Sequence, residues 1–84
     1  MLLGEQLRAG RALLRWGQAK LAGEASKIHP VSAETIGRWE GINGVINAQS
    51  AAVDAVVRTL DAHGVELLNH GSPGARLRPN LPQS

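Results

Sequence analysis

Residues 31–41 carry the pattern of a short helix whose two ends are both marked. Ser32 is a residue type that caps the free amides of a first turn, and Glu34 lies where the helix dipole favours a negative charge. Gly41 suits the left-handed residue that ends many helices, and Pro30 disfavours helix at the residue before it. A helix this short is unstable alone, so the rest of the chain must pack behind it.

The two faces of this predicted helix differ in chemistry. Ile36 and Trp39 are three residues apart and form one apolar face, which we expect to point into the core. The opposite face is small and polar and carries one guanidinium; its members are Ala33, Glu34, Gly37 and Arg38. This face is free for an external partner, and DNA is the leading candidate.

The composition limits both the size of the core and the class of protein. The 84 residues, 43% of them hydrophobic, are enough for one small domain with a modest core. Cysteine is absent, which excludes disulfides and thiolate metal sites. Apolar runs are far shorter than the roughly 20 residues that cross a bilayer, and no signal pattern opens the chain, so we expect a soluble cytoplasmic protein. Phe and Tyr are absent, which argues against the stacking platforms of single-strand binders.

Three further helices are predicted around the first. Residues 3–15 form an amphipathic helix, and Gly17 occupies the N-cap position of a short helix over residues 18–25. Residues 48–62 form the last helix, which Gly64 ends. The apolar positions of the first of these helices are Leu3, Leu7, Gly10 and Leu14, and those of the last are Val53, Val56, Val57 and Leu60.

The end of the chain changes character. Residues 65–68 and 75–78 are short runs with partial alternation, separated by a turn-rich stretch, and together they predict a β-hairpin. The remaining residues, 79–84, are expected to be disordered. The predicted fold is therefore mainly α, with four to five short helices and a short C-terminal β-hairpin.

The stretch after residue 41 is unusual for a solvated turn. It contains three aliphatic residues, Ile42, Val45 and Ile46, beside two glycines. Such a surface favours contact with another protein chain. Either this loop or the hairpin could supply that contact, and an unpaired hairpin edge also invites a homodimer.

Catalytic and metal-binding patterns are missing from the sequence. The three histidines, His29, His63 and His70, lack the paired spacing of a metal site, and we expect neither a metal nor a cofactor. No nucleophile, base and orienting acid can be assembled, so an enzyme is not expected. Trp16 and Trp39 fall on apolar helical faces, which favours core packing over base stacking.

Three motifs follow one another along residues 3–63: Leu7-Arg8-x-x-Arg11, Trp16-Gly17-Gln18-x-x-Leu21-Ala22 and Val31-Ser32-x-x-Thr35-Ile36-x-x-x-Glu40. Together they resemble the Xre/Cro-type helix-turn-helix repressor family, whose members bind operator DNA. The resemblance implies a lambda-repressor-like helix-turn-helix domain over residues 1–64, followed by a β-hairpin extension over 65–78 and a tail over 79–84. It also implies that the helix beginning at Ser32 enters the major groove.

The resemblance extends to individual side chains. The positions expected to contact bases are Ala33, Glu34, Gly37 and Arg38. The residues expected to contact the DNA backbone are Gln18, Lys20, Lys27 and Ser32. A structural ion pair joining the first helix to the end of the recognition helix is implied for Arg11 and Glu40.

Several of these side chains have a second interpretation. The fork of Arg38 fits the two major-groove acceptors of guanine, but a solvated surface arginine is the alternative. Glu34 could accept from a cytosine amine or only stabilise its helix terminus. Ser32 is a cap that could also touch a phosphate, and Gln18 is either a phosphate contact or a polar residue of a first turn.

The chain departs from the family pattern at two places. Residues 24–30 contain about four extra residues, which either add a turn to the preceding helix or lengthen the connection. The aliphatic loop after Glu40 lacks the basic residues that members often carry there.

The function expected from the sequence is sequence-specific double-stranded DNA binding by a homodimeric transcriptional regulator, a repressor, in the cytoplasm of a bacterium or phage and on its nucleoid when bound. The alternative is a protein-interaction module, antitoxin-like or an accessory subunit, on a degenerate helix-turn-helix fold.

Overall fold

The computed structural model describes residues 2–47, 50–68 and 74–78, and within them the chain forms four helices followed by two strands. The helices are α1 (Gly4–Leu13), α2 (Gln18–Ala25), α3 (Ala33–Glu40) and α4 (Ser50–Ala62). The strands are β1 (Val65–Leu68) and β2 (Gly74–Leu77).

The two strands form an antiparallel hairpin in which Val65 is opposite Leu77. The prediction of a mainly α chain with a C-terminal hairpin is thus confirmed. The predicted disordered tail, 79–84, lies outside the described residues, and no helix within them is long and apolar enough to cross a membrane.

The local sequence signals predict how α3 begins but not how it ends. The Oγ of Ser32 accepts a hydrogen bond from the Thr35 amide at 3.1 Å, as expected of a cap. The expectation that Gly41 is left-handed is wrong, since its φ is −80°. The chain instead continues through a right-handed turn, in which the Ile42 amide donates to the Trp39 carbonyl at 3.0 Å. A left-handed glycine does end α4, where Gly64 has a φ of 90°.

One apolar core holds all of these elements together. Leu7 of α1, Leu21 of α2, Ile36 of α3 and Leu60 of α4 are each fully buried in it. The hairpin contributes Val65, which is 1% exposed. The hairpin is therefore packed against the helices rather than being an independent extension.

The aliphatic loop after α3 pairs with the beginning of the chain. The Gly4 amide donates to the Gly44 carbonyl at 2.9 Å, and the Ile46 amide donates to the Leu2 carbonyl at 3.0 Å. This pairing turns Ile46 inward, where it is 7% exposed, and Ile42 packs against the core. The prediction that the loop presents an apolar surface is therefore wrong for Ile46 and Ile42; Val45 alone of the three is exposed, at 52%.

A buried glutamine that the sequence analysis did not single out ties the hairpin to α1. Gln6 has no exposed surface. Its Oε1 accepts from the Leu3 amide at 3.0 Å, and its Nε2 donates to the carbonyls of Leu68 at 2.8 Å and Gly74 at 3.3 Å. Leu68 and Gly74 are partners across the hairpin. One side chain therefore fixes both strands against the first turn of α1.

The residues between α2 and α3 form a connection, and α2 does not extend into them. The helix ends at Ala25, and the chain then turns through residues 26–29. Ser26 closes this connection, because its Oγ accepts from the Val31 amide at 3.1 Å and lies 3.0 Å from the Val31 carbonyl, to which it donates. The connection is thus a closed turn that leads directly into the cap of α3.

Candidate nucleic-acid interface

The C-terminal end of α3 is anchored by a carboxylate that three elements share. Glu40 is 5% exposed, and Arg11 of α1 donates to it twice, with Nε–Oε2 at 2.6 Å and Nη2–Oε1 at 2.9 Å. Gln18 of α2 donates from Nε2 to the same Oε1 at 3.1 Å. Arg8 donates to the Glu40 carbonyl oxygen at 2.8 Å. The predicted partners Arg11 and Glu40 are therefore in direct contact and join α1 to α3, and the Gln18 hydrogen bond also ties the beginning of α2 to the end of α3.

Electrostatics keeps this carboxylate ionised. Burial of Glu40 opposes its charged form, but the hydrogen bonds from Arg11 and Gln18 and the charges of Arg11 and Arg8 outweigh that cost. The pKa of Glu40 therefore lies below its usual value. In return, the hydrogen bond to Glu40 raises the pKa of Arg11, against the opposing effect of burial.

The outer face of α3 presents two charged side chains. Glu34 and Arg38 are exposed and are one helical turn apart. Neither makes a hydrogen bond or an ion pair with any described residue, although Glu-to-Arg at this spacing is a favourable helix pair. An unpaired guanidinium and an unpaired carboxylate thus lie side by side, both free to contact an external molecule.

The other two predicted base-contacting residues are less accessible than expected. Ala33 is half-buried and packs against the core. Gly37 lies under the side chain of Gln18, and a Cβ at Gly37 would be 3.1 Å from the Gln18 Oε1. The exposed part of α3 is therefore narrower than the helical pattern predicts.

The predicted backbone-contacting residues have partners inside the chain. The Nζ atoms of Lys20 and Lys27 lie 3.3 Å and 3.1 Å from the Glu24 carboxylate. The hydrogen bonds from Lys27 and Lys20 lower the pKa of Glu24. Ser32 serves as the cap of α3, and Gln18 is directed towards Glu40. Both lysines remain more than half exposed, at 56% and 72% of their side chains.

Two positively charged side chains have no partner among the described residues, and one of them is on α3. The chain has nine Lys and Arg residues, all of them described. Six lie within 4 Å of a carboxylate: Arg11, Lys20, Lys27, Arg58, Arg76 and Arg78. Of the other three, Arg8 donates to a backbone carbonyl, which leaves Arg15 and Arg38 without a partner among the described residues.

An open groove of about 270 Å³ runs beside the exposed face of α3. We call it the α3 groove. It is lined by residues 29–31 of the α2–α3 connection, by Thr35, Arg38 and Trp39 of α3, and by Ala52 of α4. A place for His29 and Thr35 in a groove could not be predicted from the sequence, because the groove forms only when the connection, α3 and α4 come together.

Both tryptophans pack against other side chains of the fold. Trp39 is 4% exposed in the core, and Trp16 is half-buried with its ring edge-on to His63, the centroids 4.7 Å apart. Within the described ranges no three histidine, aspartate or glutamate side chains are grouped so as to hold a metal ion, and His70 lies outside those ranges.

Comparisons of the chain with protein-family models, with curated proteins and with solved structures found no match. The candidate interface is therefore defined by the residues and geometry of this chain.

Proposed function

We propose that this protein is a sequence-specific double-stranded DNA-binding transcriptional regulator with a lambda-repressor-like domain. In this proposal α3 enters the major groove. The observation that carries it is the contrast between the two faces of α3. Ile36, Trp39 and Glu40 fix the inner face to the core and to Arg11, whereas Glu34 and Arg38 stand exposed and unpaired on the outer face.

The two exposed side chains fit the chemistry of a base pair. The major groove admits an α-helix, and guanine presents two acceptors there that match the fork of an arginine. The cytosine amine is a donor that a carboxylate accepts. Arg38 and Glu34, one turn apart, are therefore suited to reading a G·C pair or two neighbouring pairs. A helix held rigidly from behind loses little entropy when it makes such contacts.

In this proposal, side chains of α2 and of the connection after it position the protein on the duplex. Gln18 begins the helix that lies against α3, and Lys20 and Lys27 provide mobile charge nearby. These side chains would contact phosphates, which fix the register of a protein on a duplex without reading its sequence. The lysines would then leave Glu24, and the exchange costs little because exposed ion pairs are weak.

We further propose that two copies act together as a homodimer. In an antiparallel hairpin, the residues of each non-hydrogen-bonded pair direct their amides and carbonyls outwards. Because the Arg78 amide donates to the Gly64 carbonyl at 2.8 Å, the backbone amides and carbonyls of Ala75 and Leu77 point away from β1, where β2 of a second copy could pair with them. Leu77 is also 47% exposed. A symmetric pair would place two α3 helices about 34 Å apart, one turn of DNA, and such a dimer could block a promoter.

Arg38→Ala is expected to weaken binding to a selected duplex by about 1–3 kcal/mol and to relax the preference at one base position. Binding to scrambled duplex should change much less. The measurement is a competition titration of both duplexes at two salt concentrations.

Arg58→Ala is the matched control for this titration. Arg58 is an exposed arginine on α4 and pairs only with Asp54, at 2.8 Å. Its loss should leave the ratio of specific to scrambled affinity unchanged. If Arg38→Ala weakens both duplexes equally, Arg38 contacts only the backbone and base reading must be assigned to Glu34.

A further inference from the structure

The α3 groove is built for an anion. The lining residues with polar side-chain groups are His29, Thr35, Arg38 and Trp39, and none of the described residues that line the groove carries a carboxylate. Arg38 has no partner among the described residues. A concave surface of about 270 Å³ with one unpaired cation and no acid favours a negatively charged occupant.

The hydroxyl in the groove is oriented by its neighbour. The Thr35 Oγ1 accepts a hydrogen bond from the Ser32 Oγ at 3.0 Å, and the Ser32 Oγ in turn accepts from the Thr35 amide at 3.1 Å. Thr35 therefore retains its own hydroxyl proton for donation. This small network presents a donor at the wall of the groove.

The imidazole in the groove is also fixed. The His29 Nδ1 lies 3.1 Å from the Pro30 carbonyl oxygen, an acceptor, so Nδ1 carries a proton and donates. Nε2 can then donate only in the imidazolium form. An anion in the groove would be the acceptor for that Nε2 proton.

We propose that the α3 groove is a phosphate seat that holds one backbone phosphate of the DNA, with Thr35 and His29 as donors and Arg38 at its rim. This inference rests on the proposed function. The groove opens beside the helix proposed to read bases, and phosphate is the anion that lines a major groove. The longer α2–α3 connection, which supplies His29, would then be part of the DNA-binding surface rather than a spacer.

The test uses His29→Ala and Thr35→Val in the full chain. Each substitution is expected to weaken binding to the selected duplex and to the scrambled duplex by the same factor, about 3–10-fold, because a phosphate contact carries no sequence information. Thr35→Val removes no charge, so it should leave the salt dependence of binding unchanged.

His63→Ala is the matched control. His63 is exposed at the end of α4, and its Nδ1 contacts the Thr59 carbonyl at 2.9 Å, a backbone contact like that of His29. It should bind as the wild type does. In a second experiment, each backbone phosphate of the duplex is replaced in turn by a neutral methylphosphonate linkage. One such position should weaken duplex binding by the wild type but not by Thr35→Val. If no position distinguishes them, or if the variants change only the ratio of specific to scrambled binding, the seat is disproved.

A second arm separates this inference from the proposed function. Inorganic phosphate is added to the free protein, and the amide shifts of Thr35 and Arg38 are followed by NMR. Saturable shifts that Thr35→Val abolishes support an anion seat even if no duplex binds, in which case its phosphate comes from another source. An absence of shifts, together with wild-type affinity of both variants for duplex, overturns the proposal.

Discussion

Gly4→Ala is expected to destabilise the fold by about 3 kcal/mol or more. A Cβ at Gly4 would lie 2.0 Å from the Ile42 carbonyl oxygen and 2.6 Å from the Trp39 carbonyl oxygen. Both are backbone atoms, so the clash cannot be relieved by turning a side chain. The first turn of α1 would have to move away from the end of α3. Urea unfolding of the purified variant measures the effect.

Gly23→Ala is the matched control for this substitution. Gly23 is inside α2, and a Cβ there would meet no atom within 4 Å. Alanine is a better helix former than glycine, so Gly23→Ala should stabilise the protein by about 0.5–1 kcal/mol. The two substitutions should therefore change the free energy of unfolding in opposite directions. A Gly4→Ala protein as stable as the wild type would show that α1 and α3 do not approach so closely.

Glu40→Ala is expected to cost about 3 kcal/mol of unfolding free energy, the lower end for a broken buried pair. The substitution leaves the guanidinium of Arg11, 20% exposed, without its carboxylate, and it also removes the partner of Gln18. Asp54→Ala removes an exposed carboxylate from Arg58 and should cost less than about 1 kcal/mol. Equal costs for the two variants would contradict a desolvated anchor at Glu40.

The anchor also predicts a dependence on pH. Because the folded-state pKa of Glu40 is lowered, its contribution to stability is present above the unfolded value, about 4.3. It is lost as the pH falls through the folded-state pKa. The gap in unfolding free energy between wild type and Glu40→Ala should therefore be widest above about pH 5 and narrow in more acid solution. A gap independent of pH from 3 to 7 would contradict the assignment.

Local signals were sufficient for the ends of the short helices. The cap at Ser32, the N-cap at Gly17 and the end of the last helix at Gly64 each depend on a few neighbouring residues, and each was predicted from the sequence. Gly41 was not, because its conformation depends on how the following loop pairs with residues 2–4. The burial of Gln6 could not be predicted either, since its two hairpin partners are more than 60 residues away in the sequence.

The candidate interface was also predictable from the sequence only in part. Helical periodicity placed Glu34 and Arg38 on the outer face of α3, where both are exposed. Periodicity could not show that Gln18 covers Gly37, because that contact depends on the packing of α2 against α3. Nor could it find the α3 groove, which needs three separate parts of the chain.

Selection of duplexes by the wild-type protein from a random library tests the central claim that α3 reads double-stranded DNA. We expect one enriched motif that contains a G·C pair, and Arg38→Ala should relax the preference for that pair. The motif should consist of two half-sites about 10 base pairs apart. Binding should weaken steeply with salt. The absence of an enriched motif, together with no duplex binding even at low salt, would contradict DNA reading by α3. The protein would then be interpreted as a protein-interaction module, with Val45 and Leu77 among its exposed apolar residues.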